Sequence, residues 1–116
     1  MDRRFENLFI WQESRNLVNR IYKIMEGSRD FGFKDQIQRA AVSIMNNIAE
    51  GAECGSDIKF RYFLNVARGS CSEVRSMLYL CEDMELCTKE DAEMLRASSR
   101  QISSGIVNLS NSIINK

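Results

Sequence analysis

No proline interrupts this chain, and its hydrophobic residues recur at three- and four-residue intervals almost from end to end. Without proline, no helix interior loses a backbone donor or meets a ring clash. The three–four spacing is that of one helix face, not the alternation of a strand. Six glycines do most of the punctuating. Gly27 and Gly32 bracket one break, Gly51 and Gly55 a second, and Cys87-Thr88 marks a third, so four helical segments are expected.

The first segment runs from about Asn7 to Glu26, with Trp11, Val18, Ile21 and Met25 on one stripe widened by Leu17 and Ile24. Asn7 is the expected N-cap, and Gly27 the residue that turns left-handed past the end. The second runs from about Phe33 to Glu50, its apolar face carried by Ile37, Ala41, Ile44 and Ile48, with Gly51 as the expected stop. The third spans about Ser56 to Met84, with Ser56 as N-cap and a stripe from Phe60 through Leu64, Ala67, Cys71 and Leu78 to Cys81. The fourth starts at Thr88, where Thr88-Lys89-Glu90-Asp91 is a capping-box variant, and carries Leu95, Ile102, Ile106, Leu109 and Ile113. Short links make consecutive helices antiparallel neighbours. The expected fold is all-α, an antiparallel up-down-up-down four-helix bundle forming one domain over residues 1–116. The three-helix alternative requires fusion across Cys87-Thr88, which the capping signal opposes.

At 116 residues such a domain buries roughly two thirds of its unfolded surface and needs no disulfide or metal to fold. The chain has no histidine. That removes the usual general base, the Ser–His and Cys–His pairs and the Glu-x-x-His ligands of di-iron bundles. Gly51-Ala52-Glu53-Cys54-Gly55 lacks the lysine and spacing of a phosphate loop. Carboxylates at Glu82, Glu85, Glu90 and Glu93 lie near helix ends, where solvated charge explains them. No enzyme activity, metal, cofactor or small-molecule substrate is expected. Cys54, Cys71, Cys81 and Cys87 form no CxxC pair and read as free thiols of a reducing compartment. Cys71 and Cys81, ten residues apart on one helix, are about 15 Å apart and cannot bond to each other. Met1–Glu6 leads into no long apolar run, so no signal peptide or membrane span is expected and the cytoplasm is the expected location. Sixteen cations balance sixteen anions, which argues against a strongly electropositive nucleic-acid binder.

The second and third segments hold the candidate interaction residues. A turn centred near Glu53–Cys54 places residues whose numbers sum to about 107 at one level. Ala40 then meets Ala67, Ile44 meets Phe63, Ile37 lies near Ser70, and the small residues Ala40 and Ala41 face Ala67, Gly69, Ser70 and Cys71. A mid-helix Gly69 costs about 1 kcal/mol relative to alanine, which calls for a packing reason. Two readings follow: tight packing within the chain, or a surface that receives another subunit. The same register sets Arg39 level with Arg68 and Asn46 (or Asn47) level with Arg61. Side-by-side arginines repel unless an anion lies between them. Glu50 and Glu73 are the internal candidates and a phosphate the external one.

These runs carry a family resemblance. Phe5-Glu6-Asn7-Leu8-Phe9-Ile10-Trp11-Gln12, Ile21-Tyr22, Phe31-Gly32-Phe33, Gln36 through Ile44, Asn47-Ile48-Ala49-Glu50-Gly51, and Phe63 through Ser70 followed by Glu73 resemble a known four-helix-bundle family. That family comprises proteins from intervening sequences of large-subunit ribosomal RNA genes and the accessory variability protein of diversity-generating retroelements. The resemblance covers most of the chain, least after about Cys87. It implies a bundle that assembles as a ring-like homopentamer and, in the retroelement branch, association with a reverse transcriptase and nucleic acid. The chain differs by Met45, where proline is common, and by its neutrality where the retroelement proteins are strongly basic. Met45 should leave the second helix straighter, and the neutrality favours the intervening-sequence or stand-alone branch.

The leading expectation is a non-catalytic, self-associating accessory or scaffold bundle. The alternative is a nucleic-acid-binding module using Arg39, Arg61 and Arg68, with Arg15 and Arg20, for RNA or DNA.

Overall fold

The computed structural model describes residues 3–114. A short 3₁₀ turn, Phe5–Asn7, leads into α1 (Phe9–Ile24), followed by α2 (Phe31–Glu53), α3 (Asp57–Asp83) and α4 (Lys89–Ile114). Each helix packs against its two neighbours in the order α1–α2–α3–α4–α1. Every pairing is antiparallel. Ser43 of α2 meets Ser70 of α3 while Gln36 meets Glu73. Ser99 of α4 meets Cys71 while Arg96 meets Leu78. Gly105 abuts Ile10 of α1 while Arg20 reaches Met94, and Phe5 before α1 bonds to Glu53 at the end of α2. The up-down-up-down bundle is a rod of 46 × 20 × 20 Å.

The expected caps hold at two starts. Ser56 accepts from the Lys59 amide at 3.2 Å and Thr88 from the Asp91 amide at 3.1 Å. Asp30, not anticipated, caps α2 by accepting from the Phe33 amide, which moves that helix's start two residues back. Gly27 adopts the left-handed conformation after α1. Asn7 does not cap α1: it closes the 3₁₀ turn, and the N-cap position belongs to Leu8, which makes no side-chain cap bond. The core is one cluster of inward stripes from all four helices, including Leu17 and Ile21, Ile37 and Ile44, Leu64 and Leu78, and Ile102 and Ile106.

The larger correction concerns Gly51, which does not end α2. It lies inside the helix and is buried, because Ala52 continues the stripe of Ile44 and Ile48 by another four residues. A β-carbon at Gly51 would lie 2.7 Å from Phe63 Cβ and 3.0 Å from Phe60 Cδ1. The glycine therefore serves close approach, and the turn is made by Gly55 at φ +77°. Lengthening α2 moves the α2–α3 register by roughly one to two turns. Phe63 lies against Gly51, not Ile44, and Ser70 lies against Ser43, not Ile37.

Candidate interaction surface

The shifted register separates the residues expected to meet. Arg39 is exposed, and its Nε donates to Asp35 Oδ2 at 2.8 Å, one turn back on its own helix. Arg68 stands over the groove between α3 and α4. The two arginines are therefore not level, and neither Glu50 nor Glu73 bridges them: Glu50 is exposed on α2, and Glu73 accepts from Gln36 Nε2 at 3.3 Å. Asn46 is exposed and, in this register, nearly two turns removed from Arg61. Asn47 is half-buried, and its amide donates to the Ser43 carbonyl at 2.8 Å and the Ser43 hydroxyl at 3.0 Å. That hydroxyl lies 3.0 Å from Ser70 Oγ. Ser43, Asn47 and Ser70 thus form a small polar joint across α2–α3.

Gly69 departs furthest from expectation. Consecutive helical residues turn by about 100°, so with Ala67 and Cys71 at the core, Gly69 falls on the opposite side of α3. It is exposed, and a β-carbon there would find nothing within 4 Å. On the same side stand Ile58, Tyr62 and Leu80, with 82%, 63% and 46% of their surfaces exposed. Taken with Gly69 they are spaced four, seven and eleven residues apart, a helical pattern, so α3 carries a second, outward stripe. Large side chains mark its two ends, and Gly69, Ser72 and Ser76 make its flat middle. Sequence reasoning passed over Ile58, Tyr62 and Leu80 because the inward stripe already accounts for the helix.

Beside this stripe, Arg61, Asn65 and Arg68 of α3 line grooves with Ser103, Ser104, Asn108 and Asn111 of α4. No Asp or Glu occurs in residues 58–72 or after Glu93, so locally the surface is cationic although the chain is neutral. The α3–α4 contact is fixed higher up by Arg96. This buried guanidinium pairs with Glu82 at 3.0 Å, donates to the Leu78 carbonyl and lies 4.1 Å from the Tyr79 ring centre. Of the remaining arginines named from sequence, Arg15 lies over the Trp11 ring and Arg20 reaches Met94 on α4.

Burial pushes the Cys71 thiol up to about 12, with Arg75 and a bond from Ser99 opposing the shift. Burial, then the hydrogen bond with Cys87, raises that of Cys81 further. Among the described residues, no three Cys, Asp or Glu side chains are grouped to hold a metal ion, and no helix is long and apolar enough to cross a membrane.

The family profile described as 23S rRNA-intervening sequence protein matches residues 6–108. The chain belongs to that family. Its fold agrees with a crystal structure from Bacteroides thetaiotaomicron, a protein with unknown function from the S23 ribosomal protein family. The two are 27% identical with a TM-score of 0.81, and the match covers 87% of this chain and 97% of that one. No curated protein matches the chain. Within the family profile lie both faces of α3 and all the candidate residues named from the sequence.

Proposed function

We propose that this protein is a non-catalytic, self-associating bundle of the intervening-sequence family, acting as an accessory or scaffold and using the outward face of α3 to contact other copies of itself. The observation that carries this reading is Gly69. A glycine in a helix interior is destabilising, and here no neighbour within the chain needs its smallness. A second helix crossing at Gly69 would gain close backbone approach there, and would cover Ile58, Tyr62 and Leu80 on either side. Exposed apolar stripes of this kind mark contact surfaces. The family resemblance supplies the expected number of copies, five.

Light scattering coupled to size exclusion at micromolar concentration tests this. The wild-type chain is expected to elute as an oligomer and Leu80→Glu as a smaller species with unchanged helical circular dichroism. Wild-type protein that remains monomeric at every concentration tried would refute it.

A second reading, a nucleic-acid accessory module, draws on the acid-free groove. Arginine with asparagine and serine is the usual phosphate-contacting set. Fluorescence anisotropy with a short single-stranded RNA should give binding that weakens steeply with salt and is lost in Arg68→Glu. Absence of binding at low salt excludes it.

A further inference from the structure

The turn between α3 and α4 brings together two sulfurs that the sequence does not obviously pair. α3 ends at Asp83, and Glu85 takes a left-handed φ of 56°. The Leu86 amide then donates back to the Cys81 carbonyl at 2.9 Å, and the Glu85 amide to the Glu82 carbonyl at 3.0 Å. These six-to-one and five-to-two bonds are a Schellman cap, with Glu85 where glycine is usual and half-buried Leu86 packed on the core. The chain is folded back over the last turn of α3, and Cys87 lands on Cys81. The Cys81 thiol donates to the Cys87 sulfur at a separation of 3.0 Å. Cys81 is buried, whereas Cys87 is part-exposed.

We propose that Cys81 and Cys87 are a redox-active dithiol, closed to an intrachain disulfide by exchange with low-molecular-weight disulfides of the glutathione class. The sulfurs need to approach by only about 1 Å to reach bonding distance. No other pair competes. Cys54 sits at the α2–α3 turn, bonded to the Gly51 and Ser56 carbonyls, a whole length of α3 away. Cys71 is buried in mid-helix ten residues before Cys81.

The part-exposed Cys87 reacts first. Its thiolate attacks one sulfur of the incoming disulfide, forming a mixed disulfide and expelling one small thiolate. That thiolate takes up the Cys81 proton. The Cys81 sulfur then attacks Cys87 and expels the second small thiol. One small disulfide is reduced to two thiols as the protein dithiol loses two electrons and two protons. Because burial keeps the Cys81 thiol protonated, the second step is the slow one. Closure ties the last turn of α3 to the residue preceding the Thr88 cap, beside the Arg96–Glu82 pair. In reducing compartments such bonds are transient and redox-sensing, not structural.

The test uses the full chain, reduced and then equilibrated with oxidised and reduced glutathione in graded ratios, quenched with N-ethylmaleimide and read by mass spectrometry. Both cysteines fall in the tryptic peptide of residues 76–89. The expected result is that this peptide loses two hydrogens and both maleimide sites as the buffer becomes oxidising, and regains them on reduction, while Cys54→Ser leaves closure unchanged. In Cys87→Ser the peptide should remain a free Cys81 thiol. A stable glutathione adduct on Cys87 with Cys81 still free, a disulfide involving Cys54 or Cys71, or no change across the series would each overturn the proposal. The readout is chemical and independent of whether copies of the chain associate.

Discussion

α3 presents two apolar stripes to two different environments. The inward one, Phe60, Leu64, Ala67, Cys71, Val74, Leu78 and Cys81, is fully buried in the common core between α2 and α4. The outward one, Ile58, Tyr62 and Leu80 around Gly69, meets solvent. Each contacts or contains a glycine, with opposite significance. Gly51 of α2 is small because Phe60 and Phe63 leave no room, whereas Gly69 has open space around it. The contrast teaches that one face holds the molecule together while the other is free to vary without unfolding it.

Four measurements probe that contrast. The largest effect is expected on the inner face, where Leu64→Ala should destabilise the fold by about 3 kcal/mol, the usual cost of a lost buried leucine and its cavity, read from urea unfolding. A loss below about 1 kcal/mol would mean that the inner stripe is not the tight one. Gly51→Ala should cost about 2 kcal/mol by overpacking, since Phe63 Cβ is tied to the α3 backbone and cannot swing aside.

The third is a pH dependence. The Cys71 thiol is raised from its ordinary 9.0 to about 12 by burial. The unfolded chain therefore ionises first and binds fewer protons above pH 9. The contribution is fully present below pH 9 and is lost progressively between 9 and about 12, at about 1.4 kcal/mol per pH unit. Cys71→Ala should flatten this part of the stability profile.

The smallest effect belongs to the outer face. Gly69→Ala should raise the stability of the monomer by up to about 1 kcal/mol, through helix propensity alone, and weaken association. Destabilisation, or association left untouched, would show that the two faces do not differ as described.

Much of the fold could be read from residue spacing. Ser56, Thr88 and Gly27 act at helix ends as their chemistry dictates, and the inward stripes lie where the three–four pattern puts them. What failed was a choice between two uses of the same residue. Glycine either stops a helix or admits a neighbour, and nothing local to Gly51 distinguishes them. The available signal was longer in range: Ala52 extends the stripe from Ile37, and Gly55 stands directly before the Ser56 cap. Misplacing that stop displaced the register, and with it went the pairing of Arg39 with Arg68 and the inward placement of Gly69. The Cys81–Cys87 contact was hidden for a related reason, because it depends on the left-handed Glu85, a conformation that non-glycine residues seldom adopt.

The Ser43–Ser70 contact has a consequence for states the chain does not occupy. Two long helices with apolar residues every three or four positions offer several nearly equivalent ways to slide along each other, one turn at a time. A slip of one turn in either direction would bring Ser43 opposite Val66 or Val74, and the Ser43–Ser70 hydrogen bond would be lost. A hydrogen bond of this kind is worth on the order of 1 kcal/mol net. The joint thus favours the observed register over its nearest neighbours by a small margin, and the close approach at Gly51 acts in the same direction.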